Sequence, residues 1–536
     1  MLKEMQMSST RSTDDKNMLD NSQCGSNDTG DTKRGTTAER ERENTPPRED
    51  SPPRENALPN RSSSSPPCSS PWIMLGLYCI LAIMDHVIWV SFWPIVREGQ
   101  VFFGVGRVAI FMLSMIYVVM FIVCAPLAGQ AVDQNGLRYG ILMGSFLNFL
   151  GSLIKVIPAP FSMNGITGYV FNFAGNVVGG IAHSFILIIP PTLAQNWFDS
   201  KHRVTCQAIS IICYEIGVTV GILVIPKIGS SDNVSLLLLM LFMGSLFVYI
   251  IELIFFVGKP PTRPSLSSVT TSSRANRRST SCCSKFLRAY SFSELTKTTY
   301  ALSRTNGYLL TLLSFGVATG VQNAIWVVLG VNTIMSTTEF LSANVLLIYT
   351  FVGVLGALFS AWAIDCGRFT HRATALYAYL GFAASLLLFS VCLAQKSLDG
   401  ALFSCAVMGV FSSALTPSTF DLLMEITYPA PQAIATSLPL VVGQLWTLIF
   451  VWGNFFIQRK SFYAPALFLA VTAFVGATLY ISADNTDYRR RDYERDAASG
   501  RVAAGQPSHT GLMELDTKAS LQFFTLEGLD DDKNNA

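Results

Sequence analysis

The segment 129-GQAVDQNGLR-138 lies between two apolar runs, Val108–Leu127 and Tyr139–Pro158. It compresses Gly129, Asp133, Gly136 and Arg138 into one short turn, so the two membrane-length helices it joins must lie side by side. The glycines permit close backbone approach and positive φ, while Asp133 and Arg138 are suited to cap or bridge neighbouring helix ends. A looser copy, 356-GALFSAWAIDCGRFTHR-372, stands between two apolar runs later in the chain, with Asp365, Gly367, Arg368 and Arg372 as its polar set. Hydropathy and a loop that both repeat point to a transporter made of two similar halves.

Working outward, 50% of the residues are hydrophobic and 14% charged, well below the roughly one quarter charged that soluble domains carry. The formal net charge of +2 favours neither nucleic acid nor an acidic partner. Membrane-length apolar runs occur near 72–96, 108–128, 138–158, 166–191, 204–228, 234–258, 307–333, 341–364, 373–395, 398–424, 433–457 and 463–482. Only helices or closed barrels satisfy their backbones in lipid. The expected fold is an all-α membrane protein, with twelve transmembrane helices in two six-helix halves.

The expected organisation is a disordered cytosolic tail (1–70), a first six-helix bundle (71–258), a basic cytosolic linker (259–306), a second bundle (307–483) and a cytosolic tail (484–536). The first 70 residues are rich in Ser, Pro, Asn and charge, a composition that does not fold alone. No apolar stretch of the signal-peptide kind precedes Trp72. The turns assigned inside hold Arg138, Lys201, Arg203, Arg368, Arg372 and Arg489–Arg491; those assigned outside hold a sparser set that includes Lys155. This excess fixes the orientation by the positive-inside rule. The linker stretch KFLRAYSFSELTKTTYAL reads either as an amphipathic helix on the inner leaflet or as a solvated connector. Asn233-Val234-Ser235 is a glycosylation sequon close against the sixth helix, and Cys282–Cys283 form a pair in the linker. No cysteine or histidine spacing suggests a metal, no disulfide framework is readable, and no cofactor or catalytic constellation stands out.

An ionisable residue inside a span is a functional candidate, because it is costly there unless it meets a cavity or a partner. Asp85, His86 and Trp89 sit in the first helix, and Asp85 and Trp89 share a face four residues apart. Asn172, Asn176 and His183 line one stripe of the fourth helix; Glu215 lies in the fifth, Gln322, Asn323 and Trp326 in the seventh, and Gln444 in the eleventh. Asp85, Glu215, Asn323 and Gln444 all fall near mid-depth, which predicts a central site. The candidate substrate set is Asp85, Trp89, Asn176, His183, Glu215, Asn323, Trp326 and Gln444. Gly129, Asp133, Gly136, Arg138, Asp365 and Arg368 form the candidate gating set with Asp421 and Glu425, which share a face at the inner end of the tenth helix and favour an ion pair there.

The repeated loop and the two six-helix halves resemble the major facilitator superfamily. More narrowly, LSMIYVVMFIVCAPLAGQAVDQNGLRYG (Leu113–Gly140), FILIIPPTLAQNWFDSKHRVT (Phe185–Thr205) and FDLLMEITYPAPQAIATSLPLVVGQ (Phe420–Gln444) resemble the feline leukaemia virus subgroup C receptor-related transporters. IWVSFWPI and DNTDYRRR look nearest to the least characterised branch of that family. The resemblance implies choline, ethanolamine or haem as cargo. It places Trp89 on an aromatic wall of the cation site and Gln444 on that site's helix-eleven glutamine. His183 stands where the choline-transporting branch has a glutamine, and Asn323 where it has a tyrosine that Trp326 is placed to replace. Asp85 and Glu215 stand where that branch has uncharged polar residues.

The expected function is alternating-access transport of a small polar or cationic metabolite, proton-linked through Asp85. Choline or ethanolamine is the first candidate and haem the second, with His183 as an axial ligand. The partners expected are a small-molecule substrate and membrane lipids, no nucleic acid, and a monomeric chain, with the plasma membrane as the default location and an endolysosomal or other organelle as the alternative. A receptor or sensor that binds a metabolite without moving it is the alternative; an enzyme is not expected.

Overall fold

The computed structural model describes residues 70–158, 165–229, 233–260, 292–305, 307–335, 339–428, 430–457, 463–483 and 488–498. The N-terminal tail, Cys282–Cys283, most of the linker and the chain beyond 498 lie outside them. All regular elements among the described residues are helices: α1 (Pro71–Trp89), α2 (Val96–Phe103), α3 (Arg107–Asn135), α4 (Leu137–Val156), α5 (Ile166–Ile186), α6 (Ile189–Trp197), α7 (Arg203–Ile228), α8 (Val234–Phe255), α9 (Phe292–Ser303), α10 (Tyr308–Met335), α11 (Glu339–Asp365), α12 (His371–Ala394), α13 (Leu398–Thr427), α14 (Gln432–Ile457), α15 (Ala464–Ser482) and α16 (Arg489–Ala498). Among the described residues, twelve stretches are long and apolar enough to cross a membrane, α5 and α6 together making the fourth.

Prolines and side-chain caps explain most of the boundaries. The first apolar run does not continue to residue 96: α1 stops at Trp89 and the chain turns before α2. Ser91 donates to the Ile88 carbonyl (2.8 Å), and Pro94 has no amide to extend a helix. Pro190 and Pro191 open α6 after the break at Leu187–Ile188. Thr370 and Ser397 cap α12 and α13 by accepting from Ala373 (3.2 Å) and Gly400 (3.3 Å). Inside α14, Pro439 leaves the Ala435 carbonyl without its helical donor, and the Tyr308 hydroxyl supplies one across 3.4 Å. In lipid that replacement is what makes an internal proline tolerable.

Small residues bring the helices together. A Cβ at Gly151 of α4 would stand 2.7 Å from the Gly175 carbonyl of α5, the close approach typical of membrane bundles. Large apolar side chains such as Phe247, Phe351 and Phe359 point outward, exposed. The two halves meet along α3 against α14 and α7 against α11. The second seam is apolar at its start, where Val204, Ala208 and Ile212 pack on Ala357, Ala361 and Ile364.

Candidate functional site

Three polar groupings occupy the interior. The first lies inside the first half. Asp85 of α1 is fully buried, and its Oδ2 lies 2.6 Å from Nδ1 of His183 on α5. His86 Nδ1 is 3.5 Å from the same oxygen and 2.9 Å from the Ala82 carbonyl, and its ring stacks on Tyr214 at 4.7 Å. Trp89 is locked to α3 by a reciprocal pair, its indole donating to the Ser114 carbonyl (3.2 Å) and Ser114 Oγ donating to the Trp89 carbonyl (3.1 Å). The rings of Trp89, Tyr117 and Phe121 enclose His183 within 6.0 Å of centroid separation. Lys155 of α4, which the sequence assigns to an outer loop, is buried here instead, its Nζ 5.7 Å from the Tyr117 ring centre. Its stem lies along Gly175, where a side chain would stand 2.6 Å from Lys155 Cγ. Asp85 Oδ1, Lys155 Nζ, the Tyr117 hydroxyl and Asn176 Oδ1 are all buried without a hydrogen-bond partner among the described residues. Asn172 donates to the Gly168 carbonyl of its own helix (3.0 Å).

The second grouping crosses between the halves. Glu215 of α7 is half-buried, and Ser413 of α13 lies 3.0 and 2.8 Å from its two oxygens. Four residues after Ser413, Pro417 withholds the amide that would normally occupy the Ser413 carbonyl. One turn further along α7, Thr219 bonds Thr350 of α11 (2.7 Å). Around them, Gln322 donates to Ser412 Oγ (3.0 Å) and accepts from Thr416 (3.2 Å), and Tyr349 bonds Ser412 (2.6 Å). Asn323 donates to Thr447 (3.1 Å). Gln444 Oε1 is buried without a hydrogen-bond partner among the described residues, and Trp326 is buried edge-on against Tyr349, 5.2 Å between ring centres. The candidate substrate residues thus divide into two sets. Asp85, Trp89, Asn176 and His183 belong to the interior of one half, whereas Glu215 stands at the seam with Asn323, Trp326 and Gln444 beyond it.

The third grouping closes the end of the molecule that carries the Gly129–Arg138 turn. Asp133 accepts from the amides of Ala433 and Ile434 (both 3.0 Å), in the first turn of α14. Asp365 does the same for Val204 (3.1 Å) and Thr205 (2.9 Å), in the first turn of α7. Each carboxylate therefore sits on the positive end of a helix from the opposite half. Gly136 turns the chain with φ 93°, while Gly129 packs on the backbone of Ala433 and Ile434. The two arginines make different contacts: Arg138 donates to the Leu253 carbonyl of its own half (3.4 Å), and Arg368 lies over the Trp362 ring at 5.1 Å. Asp421 and Glu425 meet a cation, and it is Arg490 of α16, with Nε 2.7 Å from Glu425 and NH2 2.9 Å from Asp421. Burial opposes the Arg490 charge, but these carboxylates outweigh it and hold the guanidinium above its ordinary value.

Two triads have the composition of a metal site, Asp85–His86–His183 and His371–Asp421–Glu425, each with ligand atoms within 4.8 Å. In the first, both histidine Nδ1 atoms are engaged by the Ala82 carbonyl and by Asp85. In the second, both carboxylates are engaged by Arg490. Asp85 Oδ1 and His371 Nδ1, one atom of each triad, are buried without a hydrogen-bond partner among the described residues.

The family model of the Major Facilitator Superfamily matches residues 74–451. The chain belongs to that superfamily. This major facilitator protein is 24% identical over 387 residues to solute carrier family 49 member A3 of Xenopus tropicalis, covering 71% of this chain and 76% of that one. It is 24% identical over 475 residues to the choline/ethanolamine transporter FLVCR1 of Mus musculus, covering 84% and 78%. Its fold matches the E. coli fucose:proton symporter FucP (TM-score 0.55, 15% identity, 77% of this chain and 98% of that one). A bacterial homologue of the iron transporter ferroportin, in an outward-facing state, gives TM-score 0.58 at 12% identity, covering 76% and 98%. The protein is a multi-pass membrane transporter of this superfamily.

Sequence reasoning missed Lys155, Ser413 and Arg490. Lys155 closes an otherwise apolar turn, SLIKVIP, and being one residue from the end of α4 disguised it as a loop residue. Ser413 carried a signal in the run SSALTP, where adjacent hydroxyls precede an intrahelical proline. Arg490 was visible only as the middle of an arginine run.

Proposed function

We propose that this major facilitator protein moves a small cationic metabolite of the choline or ethanolamine class by alternating access, in exchange with or alongside protons. One observation carries the reading: Glu215 of one half is held by Ser413 of the other, among Gln322, Thr416 and Asn323. A carboxylate at a seam between two moving halves offers countercharge to a cation at the place where such proteins load their cargo. Ser413 is the hydrogen-bond donor that an incoming cation would displace. The names of the choline/ethanolamine-transporting relatives support the same class.

Asp85 supports the proton link in place of a cargo contact. It is fully buried and hydrogen-bonded to His183, so that a proton can pass between the two side chains. The haem reading loses ground, because His183 is walled in by Trp89, Tyr117 and Phe121.

Uptake of labelled choline and ethanolamine into proteoliposomes, with haem as a third cargo and Trp89→Ala as the control, tests the proposal. Selective uptake by the parent protein supports it. Equal uptake of every cargo by both proteins overturns it. Tight binding of a metabolite with no flux would make the protein a receptor instead.

A further inference from the structure

Six residues after α15 ends at Ser482, the chain forms one more helix, α16 (Arg489–Ala498), which is too polar to enter a membrane. Its first residues are fastened to the second half. Arg490 is 2% exposed and bonds both Asp421 and Glu425 of α13, while the Arg491 amide donates to the other Glu425 oxygen (3.1 Å). A carboxylate on the first amides of a helix is favoured by the helix dipole, so Glu425 fixes both the charge and the direction of α16.

One turn on, the same helix reaches the first half. Glu494, four residues from Arg490 and hence on the same face, lies 3.3 Å from the Arg203 guanidinium at the start of α7. A cation in the first turn of a helix is disfavoured by the dipole, and Arg203 is only 3% exposed. Glu494 supplies the charge that this position lacks on its own helix. Asp421 adds a second link across the halves by accepting from Gln207 of α7 (3.1 Å), and it faces His371 of α12 at 3.3 Å. The outer face of α16, with Arg491, Asp492 and Arg495, is exposed.

We propose that α16 is a third element of the gate at this end, a charged bolt carried by the second half that must release Arg203 before the halves can part there. The bolt extends the two aspartate latches with a piece of chain outside the membrane bundles. Movement of α7 away from α13 breaks Arg203–Glu494 and Gln207–Asp421 together and leaves Arg490 seated. Its role in transport rests on the alternating-access reading, but the closure itself is measurable without any cargo.

The test uses the full chain in lipid nanodiscs and follows hydrogen exchange of the first turns of α7, where Asp365 holds the Val204 and Thr205 amides. Glu494→Gln and Arg203→Gln are each expected to speed exchange there by about tenfold, the change that one ion pair's worth of coupling produces. The double variant is expected to go no further than either single one. A chain ending at Tyr488 should exchange at least as fast. Exchange in Glu494→Gln indistinguishable from the parent protein would overturn the bolt, as would fully additive single effects. Uptake is measured in parallel. A parent protein that moves no cargo yet shows the expected exchange pattern would fail the transport reading and keep the gate.

Discussion

Asp133 and Asp365 hold equivalent positions at the ends of α3 and α11, and each accepts two consecutive amides at the start of a helix in the other half. The repeated loop is therefore a repeated contact: α3 docks on α14 as α11 docks on α7. Removing one charge while keeping the shape should loosen that end. Asp133→Asn and Asp365→Asn are each expected to weaken closure by about 1 kcal/mol, the scale of a helix cap. The readout is faster labelling of a cysteine placed at Ala361 in the α7–α11 seam, compared with the same cysteine in the parent background.

Glu215→Gln should raise the substrate concentration for half-maximal uptake by about tenfold or more, since a hydrogen bond to a charged group contributes roughly 1.5–3 kcal/mol. Ser413→Ala should lower that concentration, because it removes the hydroxyl that competes for the carboxylate. Concentration-dependent uptake, normalised to protein in the membrane, separates the two directions.

Flux of the parent protein should change between about pH 5 and 8, the window of histidine titration, and Asp85→Asn should flatten the profile. The hydrogen bond between Asp85 and His183 is what links the two. A flat parent profile would remove the proton from the mechanism, and a mutant with weaker apparent affinity but an unchanged profile would make Asp85 a cargo contact.

Lys155→Met should destabilise the protein less when Asp85→Asn is already present than when it is alone. The two charges lie in the same buried cluster and are not satisfied by bonds to one another. Neutralising one leaves the other without compensation, so thermal unfolding of the four proteins should show a coupling of about 0.5–3 kcal/mol.

Most of the architecture was legible because length and hydropathy decide it: a span needs about twenty apolar residues, and the chain repeats them with their turns. The candidate gating residues were half legible. Asp133 announced a cap, but the helix it caps, α14, begins about three hundred residues later at Gln432, and no local pattern carries that partner. Asp85 and Glu215 looked alike in sequence, as carboxylates at one depth. Packing separates them, sealing Asp85 behind His183 and Trp89 and turning Glu215 to the seam. The turn after Trp89 and the inward course of Lys155 depend on how α1 and α4 meet their neighbours, which periodicity does not record.

Gly129 gives the contact between α3 and α14 a tolerance that is measured in single atoms. A Cβ there would stand 2.9 Å from the Ala433 carbonyl oxygen and 3.2 Å from the Ile434 Cα, and both belong to backbone that has no rotamer with which to yield. An alanine at this position is thus a wedge between α3 and α14, placed beside the Asp133 latch and far from the cargo. It offers a way to prop this end ajar without touching a charge, and so to present antibodies or nanobodies with a face that the resting protein keeps hidden.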